Sequence, residues 1–251
     1  MKKNLLAGLV AAALSVPEAD AQKNPRVYDT NHNGWYQYNG DHKFTDKWGM
    51  HLDVQFRRYN TLKDPQQFVM HTGVLYDLSD KVSASVGYAF ARTSPYGDFP
   101  AADDFPEHRI YEQLQLKATY GIFAVVHRYR LEQRFITRPG QKTTYTNRLR
   151  YQIKAVVPFK GPTADEKEPY FAVSDEVMVN FGPNVQHNIF DQNRAYAGLG
   201  YKFDKKFSLE VGYMNQLLQH GDGIVFENNH TLQVTVGYNL DFRNRAASPN
   251  P

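Results

Sequence analysis

The sequence predicts an all-β protein, a transmembrane antiparallel up-and-down β-barrel that follows an N-terminal export signal. Three observations support this fold class. Apolar and polar residues alternate at period two in segment after segment, as expected of strands with one apolar face. Most of these segments match the about 9 to 11 residues of a membrane-spanning strand rather than the about 5 to 6 of ordinary strands. Tight turns and longer connections alternate between them.

The first 21 residues have the features of a cleavable signal peptide. Met1 to Asn4 are basic, and the apolar run from Leu5 to Val16 is too short to span a bilayer as a helix. Ala19 and Ala21 suit a signal peptidase, so we expect the mature chain to start at Gln22; a retained helical anchor is the disfavoured alternative. The predicted organisation is a signal peptide (1–21), a polar segment (22–33), a barrel (34–243) and a tail (244–251).

Composition excludes several classes of site. The chain has no cysteine, so it carries no lipid anchor on cysteine, no disulfide and no thiolate metal site. Its 29 Lys and Arg nearly balance 26 Asp and Glu, giving a net charge of +3, which offers no argument for a nucleic-acid partner. Mean hydropathy is −0.60, so any membrane role must rest on strands.

The N-terminal half contains five alternating segments. Between Trp48 and Phe56 the even positions are apolar, and the odd positions are polar or glycine, a pattern that no helix produces. In chain order the five predicted strands are Tyr36–Phe44, Trp48–Phe56, Phe68–Tyr76, Val82–Phe90 and Ile110–Tyr120.

The C-terminal half contains six more segments, and the first two of these have a strongly charged second face. The predicted strands are Phe123–Phe135, Tyr145–Val157, Phe171–Val179, Ala195–Phe203, Phe207–Tyr213 and Leu232–Phe242. Bacterial single-chain barrels have an even number of strands. We therefore expect about twelve strands, with about ten as the alternative.

A soluble barrel or β-sandwich with an inward apolar face is the competing fold. Strand length argues against it. An inward apolar face would also leave the arginines of residues 128–150 as one basic outer surface. The lipid-facing arrangement is favoured.

Charged residues on the polar face form the main candidate site. Because an unpaired ion in a narrow lumen is costly, these residues are expected to pair. A structural ladder of ion pairs is the first interpretation, and a narrow anion-selective pore is the second. This predicted lumenal cluster consists of Arg128, Arg130, Glu132, Arg134, Arg148, Arg150, Lys154 and Glu176.

Asp175 does not fit the alternation, because it falls on the predicted lipid face, where a charge is unfavourable. A bulge at Ser174 and Asp175 that turns the acids inward is one explanation. A protein partner that covers this face is the other.

Four segments resemble an outer-membrane barrel family catalogued as domain of unknown function 2490. These segments are Arg130–Phe135, Asn147–Ile153, Asp175–Asn180 and Asn193–Phe203. The resemblance covers nearly the whole mature chain. It implies a barrel in the Gram-negative outer membrane, and the family has no agreed activity to transfer.

Catalysis is not expected. A hydrolase needs a nucleophile, a histidine and an orienting group within hydrogen-bond reach. His127 and Asn147 both point outward, but a hairpin folded near Gly140 would pair His127 with a residue near Ile153, out of register with Asn147. No histidine spacing indicates a metal site, and no cofactor is expected.

Three functions stay open: a narrow anion-preferring channel or transport protein, a non-conducting structural or accessory barrel of an envelope assembly, and, least favoured, a membrane-embedded hydrolase. The expected partners are outer-membrane lipid and, during biogenesis, periplasmic chaperones and the barrel-assembly machinery.

Overall fold

The computed structural model describes residues 25–160 and 167–243 and contains only strands, turns and loops there. The predicted signal peptide (1–21), the tail (244–251) and part of the connection near residue 160 lie outside the described residues. Within the described ranges, no helix is long and apolar enough to cross a membrane.

Eleven strands of 12 to 17 residues form one closed barrel, which confirms the all-β barrel prediction. The strands are β1 (Val27–Lys43), β2 (Trp48–Tyr59), β3 (Asp64–Ser79), β4 (Val82–Thr93), β5 (Phe105–Tyr120), β6 (Phe123–Ile136), β7 (Thr144–Pro158), β8 (Glu168–Phe181), β9 (Phe190–Lys202), β10 (Phe207–Gln219) and β11 (Val225–Tyr238). Each strand pairs antiparallel with its neighbour in sequence.

The barrel closes through a parallel pair between β1 and β11, in register from Val27 opposite Val225 to Asn39 opposite Gly237. When successive strands alternate in direction and their number is odd, the first and last strands run in the same direction. An eleven-strand barrel of this kind can therefore close only through a parallel pair. The expected count of twelve or ten strands is therefore wrong. The first strand also begins at Val27, inside the segment 22–33 that was predicted to precede the barrel.

The two faces of the wall differ sharply, because successive side chains of a strand point to opposite sides. On β7, Leu149 is 48% exposed on the outer face, whereas its neighbours Arg148 and Arg150 are 3% and 6% exposed. The outer wall is apolar and the interior is polar.

The connections sort by length to the two ends. Residues 44–47, 80–81, 121–122 and 203–206 are tight turns at one end, and residues 94–104, 137–143 and 182–189 are longer loops at the other. Two connections depart from this pattern. Residues 60–63 between β2 and β3 form a short turn at the long-loop end, and the connection between β7 and β8 is longer although it lies at the short-turn end.

Inward tyrosines lie on inward glycines of neighbouring strands. A Cβ at Gly200 would overlap the ring of Tyr170, and a Cβ at Gly73 would overlap the hydroxyl of Tyr111. The missing side chain lets the ring lie flat against the wall. These contacts fill part of the lumen and leave a narrower space beside them.

Candidate functional site

The hairpin of β6 and β7 positions most of the predicted lumenal cluster. The chain reverses in the loop that contains Gly140, whose φ of +70° suits glycine. The resulting register sets Glu132 opposite Arg148 and Arg130 opposite Arg150 on the inner face. Glu132 thus faces an opposite charge on the neighbouring strand, whereas Arg130 faces a like charge.

Glu132 is the most buried member of this cluster, with 0% exposure. Arg148 donates from Nε to Glu132 at 2.8 Å, and Arg150 donates from Nη1 to the second carboxylate oxygen at 2.8 Å. One carboxylate therefore holds two guanidinium groups.

Glu176 on β8 accepts hydrogen bonds from Arg150 and Arg128. Arg150 donates to its Oε1 from Nε at 2.9 Å, and Arg128 donates from Nη2 at 2.7 Å. Arg194 on β9 is farther, with 3.6 Å between Nη1 and Oε2. Glu176 links three strands of the wall through these contacts.

Two further predicted residues, Arg134 and Lys154, bind acids outside this group. Arg134 binds Glu107 together with Arg109, whose Nε donates at 2.8 Å. Lys154 donates to Glu210 at 2.9 Å. The structure thus brings together Arg128, Glu132, Arg148, Arg150 and Glu176, and places Arg134 and Lys154 beside other acids.

Arg130 has the weakest acidic partner of the cluster. Its Nε donates to the amide oxygen of Gln113 at 2.8 Å, and its guanidinium carbon lies 4.7 Å from the centre of the Tyr111 ring. Glu132 is 4.0 Å from its Nη1. Arg130 is held by an amide and an aromatic face more than by a carboxylate.

Sequence reasoning missed several inward partners. Asp191 accepts from Arg148 Nη1 at 2.8 Å, and Arg57 and Arg194 both lie on the ring of Trp35. The alternation itself places Arg57 and Arg194 on the polar face of their strands. Trp35 was missed because the first strand was predicted to begin one residue later.

Asp175 is exposed on the outer face, where it accepts hydrogen bonds from Asn193 Nδ2 at 3.0 and 3.1 Å. The expected bulge at Ser174 and Asp175 is wrong. The irregularity between β8 and β9 lies between Met178 and Val179, so Asp175 keeps its outward position in a regular register.

His127 pairs with Ile153, as the predicted hairpin requires. Its Nδ1 lies 2.9 Å from the hydroxyl of Tyr151. Asn147 pairs with Gln133 and accepts from the hydroxyl of Tyr145 at 2.7 Å. The structure therefore brings His127 to a tyrosine and does not bring it to Asn147.

No group of three or more His, Asp or Glu side chains within residues 25–160 and 167–243 is arranged to hold a metal ion.

A cavity of about 1050 Å³ occupies the lumen. It begins among the long loops, where Phe99, Arg138 and Gln186 line it, and reaches Ser208 and Asn239 at the short-turn end. The cavity therefore extends along nearly the whole barrel, beside the ion-paired wall of β5 to β8.

The loop of residues 94–104 reaches across the mouth of this cavity to the seam. The Tyr96 hydroxyl donates to Glu227 Oε2 at 2.7 Å, and the amide of Asp98 donates to Asp29 Oδ2 at 3.2 Å. His220 Nε2 lies 2.6 Å from the other oxygen of Glu227. This hydrogen bond raises the pKa of His220 above its usual value, with added attraction from nearby acids. His220 thus stays charged to higher pH than a free imidazole and holds Glu227 in place.

Comparison with known proteins identifies a family and nothing further. A family model described as "Protein of unknown function (DUF2490)" matches residues 32–228, and this match confirms the resemblance seen in the sequence. No curated protein and no solved structure matches the chain. The wall and the lumen are therefore the basis for any functional argument.

Proposed function

Since the chain belongs to the DUF2490 family of proteins of unknown function, its role must be inferred from its own surfaces, and we propose that it is an outer-membrane β-barrel whose lumen is a narrow passage for small anions. Lipid surrounds the wall. Periplasmic chaperones and the barrel-assembly machinery are its partners during biogenesis.

The outer wall supports a membrane location. Large apolar side chains such as Val86, Leu149 and Leu199 are 59%, 48% and 59% exposed on it, whereas the interior holds the ion pairs. A water-soluble protein rarely exposes such an extended apolar surface. The apolar outside and polar inside match a barrel whose solvent is lipid.

Aromatic side chains flank this apolar band at both ends. Such girdles occupy the two interfaces of a bilayer in membrane barrels. The exposed rings near the short turns are Phe44, Trp48, Tyr120, Phe123, Phe203 and Tyr238, and those near the loops are Tyr28, Phe56, Phe135 and Phe181.

The main support for a passage is the extent of the cavity, which is lined by residues from both ends of the barrel. The arginines along it favour anions, because Arg57 and Arg130 bind amide oxygens rather than carboxylates at hydrogen-bond distance. An excess of fixed positive charge in a confined space attracts anions and repels cations.

A non-conducting structural barrel is the second candidate. The network around Glu132 and Glu176 supports it, because these side chains are 0% and 2% exposed and fill one side of the lumen. A barrel filled by its own side chains needs no solute.

Planar-bilayer recordings of the mature protein test the passage. We expect discrete steps and a reversal potential that favours chloride over potassium. Gln233→Glu, which adds a negative charge at the cavity wall, should lower the anion-to-cation permeability ratio at least twofold. Leu62→Glu is the control, because Leu62 is 67% exposed in the turn between β2 and β3 and the added charge lies outside the lumen.

Absence of conductance would contradict the passage and support the structural barrel, provided that the protein is folded. An electrophoretic mobility that changes on boiling shows that it is folded. Steps that favour cations would also contradict the passage.

A further inference from the structure

Two arginines meet on the ring of Trp35 inside the lumen. The guanidinium carbon of Arg57 lies 3.7 Å from the ring centre, and that of Arg194 lies 4.8 Å from it. Trp35 itself is 2% exposed, and its Nε1 donates to Gln66 at 3.1 Å. A fixed indole therefore positions two cations from β2 and β9, and both line the cavity.

Amide oxygens, not carboxylates, hold Arg57. Its Nε and Nη2 donate to Gln55 at 3.1 and 2.6 Å, and its Nη1 donates to Gln67 at 2.7 Å. Within residues 25–160 and 167–243, no carboxylate oxygen lies within 4.0 Å of its guanidinium nitrogens. Amide oxygens alone therefore hold the Arg57 guanidinium group at hydrogen-bond distance.

Arg194 is only slightly better compensated. Its Nε donates to Gln192 at 3.1 Å. Its nearest carboxylate is Glu176, at 3.6 Å, which already accepts short hydrogen bonds from Arg128 and Arg150. Two like charges thus share one aromatic ring in a region of reduced dielectric, an arrangement that a bound anion would relieve.

The amides that hold these arginines are themselves fixed. Gln55 Nε2 donates to Asp53 at 2.7 Å, Gln67 Nε2 donates to Thr93 at 2.6 Å, and Gln192 Nε2 donates to Asp191 at 3.0 Å. The guanidinium groups are therefore held in place before any ligand arrives, which lowers the entropy cost of binding.

We infer that Arg57 and Arg194 form a binding site for a small oxyanion, a carboxylate or a phosphate, within the lumen. The guanidinium fork matches two oxygens of such a group, and Trp35 is too buried to stack on a ligand, so the ligand need not be aromatic. The inference rests on the proposed function, because the passage provides the anion's path to the site. Small carboxylates and phosphates are then the anions expected to bind inside the passage.

The fluorescence of Trp35 can be used to measure anion binding at this site. The chain has two tryptophans, and Trp48 is 52% exposed on the outer wall, so Trp48→Phe leaves Trp35 as the only indole. In detergent micelles at constant ionic strength, inorganic phosphate and succinate should each change Trp35 emission saturably. Arg57→Gln and Arg194→Gln should each weaken the dissociation constant at least tenfold, and Arg57→Lys, which keeps the charge without the fork, should weaken it less.

Arg58→Gln is the matched control. Arg58 is the neighbour of Arg57 and donates to the backbone carbonyls of Leu62 and Lys63, so its loss should change the dissociation constant less than twofold. Far-UV circular dichroism and boiling-dependent mobility establish that each variant is folded. No saturable response from folded protein, or equal weakening by Arg58→Gln, would overturn the site.

Binding in micelles needs no conduction, so the two proposals fail separately. Saturable binding with silent bilayers would contradict the passage alone. Conductance without saturable binding would contradict the site alone.

Discussion

The contribution of a buried lumenal charge to stability depends on its partner more than on its position along a strand. Arg148 and Arg57 are both inward arginines, yet Arg148 contacts two carboxylates and Arg57 contacts two amides. Removing one partner of a buried ion pair leaves the other charge unpaired, at a cost of about 3–5 kcal/mol. Exposed ion pairs contribute about 0–1 kcal/mol.

Glu132→Gln tests this difference. Glu132 has 0% exposure between Arg148 and Arg150, so the variant should lose about 3–5 kcal/mol of unfolding free energy. Asp104→Asn is the control, because the Arg92–Asp104 pair lies at the rim with side chains 62% and 39% exposed, and water screens its charges, so this variant should lose much less unfolding free energy. Urea unfolding in lipid vesicles measures both, and equal losses would contradict a buried network.

Alternation in the sequence predicted which charges face inward, but it did not predict how they pair. Arg148 lies 43 residues from Asp191, and Arg134 lies 27 residues from Glu107. Such contacts depend on strand order and register around the whole barrel. Period two within one strand carries no information about either.

At the scale of strands, the parallel seam is the feature that the sequence did not reveal. All eleven strands overlap alternating segments seen in the sequence. The expectation of an even number came from other barrels and not from these residues. The N-terminal part of β1 was missed because its outward residues include Thr30 and His32, which provide no contrast with the polar inner face.

Disulfide trapping tests the seam, since the chain has no cysteine of its own. Thr30 lies opposite Asn228 in the β1–β11 register, and adjacent strands are about 4.8 Å apart, within disulfide range. The double variant Thr30→Cys, Asn228→Cys should cross-link on mild oxidation. The pair Thr30→Cys, Leu232→Cys should not, because Leu232 lies opposite Gly34. Absence of the first cross-link, or equal yield of both, would contradict an eleven-strand barrel closed in this register.

At the scale of the whole molecule, the proposed function depends on which side of the wall meets water. The apolar outer face and the charged lumen could be anticipated from strand parity. The loop of residues 94–104 that reaches Glu227 across the mouth could not, because it joins residues 131 positions apart through one tyrosine hydroxyl. Loop conformation depends on such single contacts and leaves no periodic trace in the sequence.

Thiol accessibility at two neighbouring residues of β7 shows which face of the wall meets water. Gln152 lines the cavity, and Ile153 is 38% exposed on the outer wall. In proteoliposomes, a cysteine at position 152 should react with small water-soluble thiol reagents, and faster with a negatively charged reagent than with a positively charged one. If the wall lies in lipid as proposed, a cysteine at position 153 should resist both. Reaction at position 153 together with silence at position 152 would contradict a lipid-embedded barrel with a water-filled, anion-favouring lumen.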